Sequence, residues 1–103
     1  MRTVVVRYET KPDRAEENQR LVEKVYAELA ERRPDNFRYI TFRLDDGVSF
    51  VHIVVENEGG SNPIALSDIV AFQEFQRDVA ERCSVQPVAT GAAVVGSHRF
   101  LQE

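Results

Sequence analysis

The pattern of apolar and polar positions is clearest over residues 37–56, which read FRYITFRLDDGVSFVHIVVE. Two runs rich in Val, Ile, Phe, Tyr and Thr are separated there by an Asp-Asp-Gly sequence. Such side chains favour strands, and Asp-Gly favours a tight turn because glycine tolerates a positive φ. The pattern therefore predicts a β-hairpin in which Asp46 and Gly47 form the turn and Thr41 lies opposite His52.

This register assigns the hairpin side chains to two faces, because successive residues of a strand point to opposite sides. One face is largely aliphatic and consists of Arg38, Ile40, Phe42, Leu44, Ser49, Val51, Ile53 and Val55. The other is aromatic and polar and consists of Phe37, Tyr39, Thr41, Arg43, Phe50, His52 and Val54. We expect helices to cover the aliphatic face. We expect the ring-rich face to meet a second sheet, most simply from another copy of the chain, because contiguous apolar patches mark interaction surfaces.

The segment before the hairpin predicts a strand followed by a helix. Three consecutive valines within residues 3–8 indicate a central strand that is buried on both faces. Residues 13–33 carry apolar positions at helical spacing, with Asp13 as the expected N-cap and Pro34 as the stop. Asn18 lies within the apolar stripe of this helix.

The segment after the hairpin predicts a second helix and a last strand. An apolar stripe runs through residues 67–83, and residues 87–100 form a β-type run in which Gly96 suggests a bulge. The predicted order is strand, helix, strand, strand, helix, strand. This is the α+β, ferredoxin-like βαββαβ pattern of a four-stranded antiparallel sheet with both helices on one face.

Composition restricts the possible functions. The 103 residues predict a single domain over residues 1–103, and 43% hydrophobic with 29% charged residues is ordinary for a globular protein. The net charge of −4 argues against a nucleic-acid partner. The apolar runs are too short for a membrane span, and the start MRTVVVRYE lacks a signal peptide. With a single cysteine, these features predict a cytoplasmic protein.

Two histidines are the first candidates for chemistry. His52 lies on the ring-rich face, where a neutral imidazole is suited to act as a general base. The alternative is a histidine that is hydrogen-bonded within a dimer interface. His98 is a weaker candidate for substrate binding, because a bulge at Gly96 would decide its face. A metal site would need a third ligand, which the strand faces do not supply, so no metal or cofactor is predicted.

Four further residues are candidates for contacting a substrate. Tyr39 and Phe50 flank His52 on the same face. Arg43 suits either an anionic substrate or an ion pair between subunits. Asn18 is either an amide that contacts a ligand between helix and sheet or a buried amide satisfied by the backbone.

The sequence resembles the dimeric α/β-barrel superfamily, and within it the antibiotic biosynthesis monooxygenase family. The resemblance lies in the strand order, the DDGVSFVHIVVE segment, the AFQEF helix and the closing VVGSHRF strand. It implies that two ferredoxin-like subunits pack sheet against sheet as a homodimer. It also implies, from some members, oxidation of small aromatic or polyketide-like molecules without metal or flavin. No catalytic motif matches residue by residue.

Three hypotheses for function follow. The first is a cofactor-independent, monooxygenase-like enzyme with His52 as the base, in which Tyr39 or Arg43 stabilises an enolate or phenolate. The second is a non-catalytic homodimer that binds a small hydrophobic ligand. The third is a purely structural dimer, which the absence of a cavity of roughly 300 Å³ or more would favour.

Overall fold

The computed structural model describes residues 2–100 and contains one antiparallel sheet with helices on one of its faces. The strands are β1 (Arg2–Thr10), β2 (Phe37–Arg43), β3 (Ser49–Glu56) and β4 (Cys83–Ala92), in the spatial order β2-β3-β1-β4. The helices are α1 (Ala15–Arg32), α2 (Val70–Arg77) and α3 (Val79–Arg82). The ferredoxin-like order predicted from the sequence is confirmed. Within residues 2–100, no helix has the length and apolar character that crossing a bilayer requires.

The β2–β3 hairpin has the predicted register, including the pairing of Thr41 with His52. Its loop is longer than predicted, because the Leu44 N–H donates to the Ser49 carbonyl at 2.9 Å and four residues lie between them. The Asp46 carboxylate accepts from the backbone N–H of Ser49 at 2.8 Å, and Gly47 has φ +81°. The pairing register is nevertheless as predicted, because the loop includes one additional residue from each strand.

The faces of the sheet are used in the opposite way to the prediction. The helices cover the ring-rich face, where Phe50 and His52 are buried against α1 and α2. No helix among residues 2–100 covers the aliphatic face, hereafter the uncovered face, where Ile40 and Phe42 are each 42% exposed although Val55 is buried. The physical reason is area, since each ring buries more surface than an aliphatic side chain. The polar tips of the rings are hydrogen-bonded to one another, so their burial leaves no buried side-chain atom within residues 2–100 unpaired.

Strand β1 lies between β3 and β4 and is not at an edge of the sheet, so the prediction of a central strand is confirmed. Its three valines are half-buried rather than buried on both faces. Helix α1 buries the predicted stripe, including Asn18. Asp13 does not cap it, because a short 3₁₀ turn over Pro12–Arg14 precedes the helix and no side chain caps its first turn.

The last strand lies earlier in the chain than predicted. It begins at Cys83, so the expected second helix is shortened and divided at Asp78 into α2 and α3. It ends at Ala92, which pairs with Thr3 close to the first residue of β1. The irregularity in its pairing lies opposite residues 7–9 rather than at Gly96. Residues 93–100 therefore lie outside the sheet, since the pairing of β4 with β1 ends at Thr3, one position from the first residue of β1.

Candidate functional site

A small cavity lies between the sheet and the α2–α3 helices. Its volume is about 110 Å³, and three polar side chains form one end of it: Tyr8 from β1, Tyr39 from β2 and His52 from β3. The remaining lining is mostly apolar and consists of Val6, Val54, Leu66, Phe72, Phe75, Gln76, Val79 and Pro87. The antiparallel register brings the three polar residues together, since they lie on adjacent strands and on the same face.

His52 is held between two tyrosine hydroxyls. Its side chain is 4% exposed. The Tyr8 hydroxyl lies 2.7 Å from Nε2, and the Tyr39 hydroxyl lies 2.6 Å from Nδ1. The Thr41 hydroxyl is a second neighbour of Nδ1 at 3.1 Å. Both ring nitrogens are therefore hydrogen-bonded, and His52 meets the cavity together with the two phenol groups.

A hydrogen-bonded chain continues from Tyr8 to a buried arginine. Asn18 of α1 donates from Nδ2 to the Tyr8 hydroxyl at 2.9 Å. Arg82 of α3 donates from Nε to Asn18 Oδ1 at 3.0 Å and from Nη2 to the Phe75 carbonyl at 2.6 Å. Arg82 is 1% exposed. The site thus contains a buried guanidinium that is connected to the imidazole through two intervening side chains, those of Asn18 and Tyr8.

Burial keeps the three titratable groups that line the cavity neutral. Desolvation lowers the pKa of His52 to about 4, so the imidazole is uncharged at neutral pH. Desolvation raises the pKa of Tyr8, which the hydrogen bond from Asn18 partly offsets. It also raises the pKa of Tyr39, with a smaller opposing effect from Thr41. All three residues are therefore uncharged at neutral pH where they line the cavity.

The cavity adjoins a larger groove that runs towards the loop after β3. The two share the side chains of Val6, Val54, Leu66 and Phe72, and the groove has a volume of about 390 Å³. Its outer end carries the polar residues Asn36, Glu56 and Ser67. A ligand larger than the inner cavity can therefore extend along an apolar groove while one end contacts His52 and the tyrosines.

Among the predicted site residues, the structure brings His52 and Tyr39 together in this cavity. Asn18 lies behind Tyr8, and its amide is satisfied by side chains rather than by the backbone, which corrects the alternative considered from the sequence. His98 does not share a strand face with them, because it is exposed in the segment after β4.

Arg43 and Phe50 line a different cleft, of about 280 Å³, between α1 and β2. The Arg43 guanidinium donates to Glu16 at 2.8 Å and to Gln19 at 2.7 Å, both on α1. It therefore supports α1 against the sheet and does not reach the cavity at His52. Phe50 is buried and stacks on Tyr8 with ring centroids 5.5 Å apart.

Sequence reasoning did not identify Arg82 as part of the site. A charged residue near the end of a predicted helix is usually solvated, and Arg82 lies 64 positions from Asn18 in the chain. Only the packing of α3 against α1 brings the two side chains together. Among residues 2–100, no three His, Cys, Asp or Glu side chains are grouped in the way that a metal ion would need.

No protein-family model matches the sequence, and a comparison with curated proteins gives no match either. Solved structures with the same fold are similar over nearly the whole chain. Rv0793 from Mycobacterium tuberculosis has a TM-score of 0.66 at 17% identity, covering 93% of this chain and 96% of its own. A protein from Nitrosomonas europaea, provisionally named an antibiotic biosynthesis monooxygenase, has a TM-score of 0.70 at 14% identity, with 91% and 89% covered.

A third similar structure is a variant of SnoaB, a cofactor-independent oxygenase from Streptomyces nogalater. Its TM-score is 0.65 at 18% identity, and the similarity covers 99% of this chain and 97% of SnoaB. At such identities the likeness establishes a shared fold. The resemblance stated from the sequence is therefore confirmed at the level of the fold.

Proposed function

We propose that this chain, which has the ferredoxin-like fold of antibiotic biosynthesis monooxygenase-like proteins, is a cofactor-independent monooxygenase-like enzyme with His52 at its catalytic centre. The observation that carries the proposal is a neutral, buried imidazole between two tyrosine hydroxyls in the wall of an apolar cavity. A site of this kind can exchange protons with a substrate oxygen inside a pocket that excludes water. SnoaB, with the same fold, is a cofactor-independent oxygenase, which supports the proposal.

The proposed substrate is a small aromatic or polyketide-like molecule with a phenol or an enolisable ketone. The inner cavity of about 110 Å³ accommodates roughly one ring, and the adjoining groove of about 390 Å³ accommodates further apolar substituents. The polar groups at the inner end set the orientation of the substrate. Apart from Gln76, the other residues that line this cavity are apolar and offer no side-chain partner to a substrate oxygen. Phe72 and Phe75 suit stacking or edge contacts with an aromatic ring.

The proposed reaction uses dioxygen as the oxidant and the substrate as the source of electrons. A ring methylene next to a carbonyl loses a proton to His52 through a hydrogen-bonded tyrosine hydroxyl, and the resulting enolate carbon forms a C–O bond with dioxygen. His52 returns this proton to the outer oxygen. The O–O bond then breaks as the second hydrogen of that carbon leaves as a proton and joins the departing hydroxide, and a C=O bond forms. One oxygen atom stays in the product and the other leaves as water, so a CH₂ group and O₂ become a C=O group and H₂O.

We also propose that the chain forms a homodimer through the uncovered face of its sheet. The exposed apolar residues of that face are Ile40, Phe42, Val85 and Val88. An apolar surface of this kind on a sheet is typical of an interaction site. We likewise propose a small hydrophobic ligand for the cavity and a cytoplasmic location for the protein.

Oxygen consumption by the purified protein tests the proposed activity. The panel contains phenols and 1,3-diketones of one ring and ketones of three fused rings, each in air-saturated buffer. We expect turnover for at least one one-ring compound and its loss in His52→Ala, because the imidazole connects both tyrosine hydroxyls. Arg77→Ala, an exposed change on α2, is the control that retains turnover. Turnover by His52→Ala at the wild-type rate would contradict the assignment of His52.

A non-catalytic binder is the second candidate, and one observation favours it. Both ring nitrogens of His52 already have partners, as in a packed and satisfied core. The sequence has no tryptophan, so tyrosine fluorescence, including that of Tyr8 and Tyr39, reports on ligand binding. For a binder, the ligand should change this fluorescence equally in wild type and in His52→Ala, and no product should form. The inner cavity alone is smaller than the roughly 300 Å³ expected of a ligand site, but the adjoining groove exceeds that size.

A further inference from the structure

The hydrogen-bonded chain at the cavity has a direction that can be worked out from its buried arginine. An arginine side chain only donates hydrogen bonds. The Asn18 atom that faces Arg82 Nε at 3.0 Å must therefore be the amide oxygen, as the structure has it. This fixes the amide, so that the other end of Asn18, its NH₂ group, donates to the Tyr8 hydroxyl.

Tyr8 passes this direction on to His52. The Tyr8 oxygen accepts from Asn18 and carries one hydrogen of its own, and its other close partner is His52 Nε2 at 2.7 Å. If Nε2 carried the proton, the Tyr8 oxygen would accept twice and its own buried hydrogen would lack an acceptor, which is unfavourable. Tyr8 therefore donates to Nε2. The neutral imidazole then carries its proton on Nδ1.

The Nδ1 proton is directed at Tyr39. The Tyr39 hydroxyl is the nearer neighbour of Nδ1, at 2.6 Å against 3.1 Å for Thr41. Thr41 also hydrogen-bonds to Tyr39 and accepts from or donates to Tyr26 at 2.8 Å. A Tyr39 oxygen that accepts from Nδ1 keeps its own hydrogen to donate, either to Thr41 or to the oxygen of a molecule bound in the cavity that Tyr39 lines.

We propose that Tyr39 is the catalytic residue that donates a hydrogen bond to the substrate oxygen, and that Arg82 and Asn18 are positioning residues that fix this direction through Tyr8 and His52. The proposal rests on the proposed function for the identity of the substrate, but the direction of the chain stands on geometry alone. It implies that Tyr39 stabilises the substrate anion by donating to its oxygen, and that Tyr39 does not itself take up the proton that the substrate loses. A donor placed against a developing enolate or phenolate acts in the same way as an oxyanion hole.

The position of the His52 proton is measurable without any substrate. Long-range ¹H–¹⁵N correlation spectra of uniformly ¹⁵N-labelled protein show which imidazole nitrogen carries hydrogen. The chain has two histidines, so a His98→Gln background leaves His52 as the only imidazole. We expect the Nδ1–H form at neutral pH. The Nε2–H form in this protein would overturn the proposal, and this measurement needs no change within the chain of hydrogen bonds.

Asn18→Asp tests whether the direction comes from Arg82 and Asn18. A carboxylate at this position can pair with Arg82 but can only accept, so Tyr8 would donate to it and would accept from His52. We expect His52 to change to the Nε2–H form and Tyr39 to donate to Nδ1 instead of to the cavity. Thr41→Val is the matched control, which removes a neighbour of Nδ1 and should keep the Nδ1–H form. An unchanged tautomer in folded Asn18→Asp would contradict the proposed direction.

The kinetic consequence distinguishes this proposal from the proposed function. With a substrate that is turned over, Tyr39→Phe should lower kcat by about a hundredfold, as for the loss of an oxyanion donor, with a smaller change in KM. Asn18→Asp should lower kcat similarly although it leaves Tyr39 in place. Unaltered kcat in both variants would overturn the role of Tyr39. If no compound is turned over, the proposed function fails while the tautomer result still decides the direction of the chain.

Discussion

At the scale of the residue, the protein places polar groups in its core by pairing them with one another. Tyr8, Asn18, His52 and Arg82 are all buried, and each hydrogen-bonds to another of the four. A buried polar group without a partner costs about 1–3 kcal/mol, so the removal of one member should affect its neighbours as well. The same pairing that stabilises the core also prepares the hydroxyls that line the cavity.

The free energy of unfolding should decrease as the pH is lowered, because His52 is buried in its neutral form. Its pKa is about 4 in the folded protein, against an ordinary value of 6.5. Between those pH values the unfolded chain binds a proton that the folded chain excludes, so stability is lost as the pH drops through this window. The difference between these two pKa values of His52 corresponds to about 3 kcal/mol of stability in total.

Urea denaturation at pH 7, 6, 5 and 4 measures this loss in wild type and in His52→Gln. The variant lacks the titrating imidazole and retains every carboxylate, so the difference between the two proteins isolates His52. We expect the wild type to lose about 3 kcal/mol more than the variant over this range. Parallel curves for the two proteins would mean that His52 is not excluded from protonation by folding.

At the scale of the element, the loop after β3 is fixed to the end of α1 rather than free. The Asp35 carboxylate accepts from the backbone N–H groups of Ser61 at 2.7 Å and Asn62 at 2.9 Å. Asn62 donates from its side chain to the Arg32 carbonyl at 2.7 Å. These contacts hold the loop that leads to the outer end of the groove.

Two glycines of this loop offer a matched pair of substitutions. Gly59 and Gly60 both have a positive φ, of +82° and +100°, so alanine is strained at either position. A Cβ at Gly59 would meet open space, whereas one at Gly60 would collide with the Asp35 carboxylate. We expect Gly59→Ala to cost about 1 kcal/mol and Gly60→Ala about 1–2 kcal/mol more, because Asp35 must give up its hydrogen bonds. Equal unfolding free energies in urea for the two variants would contradict this.

At the scale of the whole molecule, the sheet has one face covered by helices and one without cover. Ile40 and Phe42 on β2 and Val88 on β4 are exposed on the uncovered face, Val88 to 63%. The ring-rich face, which carries the cavity, is turned towards the helices. A second subunit on the uncovered face would therefore leave the inner cavity intact and would cover the opposite side of the sheet.

Phe42→Asp tests the proposed dimer. A charge at the centre of an apolar interface should weaken association by about 2 kcal/mol or more, which is at least about thirtyfold in Kd. Native mass spectrometry and light scattering should show a dimer for wild type and a monomer for the variant at micromolar concentration. Val70→Asp, at an exposed valine on the helix side, is the control that should stay dimeric. A wild-type monomer would contradict the proposed interface.

Particular residues show how far the sequence could be interpreted. The pairing of Thr41 with His52 was predictable because local turn chemistry and strand alternation together determine a hairpin register. The end of β4 was not, because it depends on how far β1 extends beside it. Of the site, His52, Tyr39 and Asn18 were identified as candidates, whereas Arg82 became recognisable only through its contact with Asn18.

The sequence by itself determined the order of the elements, the register of the hairpin and the grouping of its side chains into two faces. These depend on interactions between residues close in the chain, which leave a periodic pattern. The tertiary structure alone decided which face the helices cover, because that choice compares the total area and hydrogen bonding of two packed arrangements. It also brought Arg82, Asn18, Tyr8 and His52 into one chain, since contacts between residues far apart in sequence leave no local pattern.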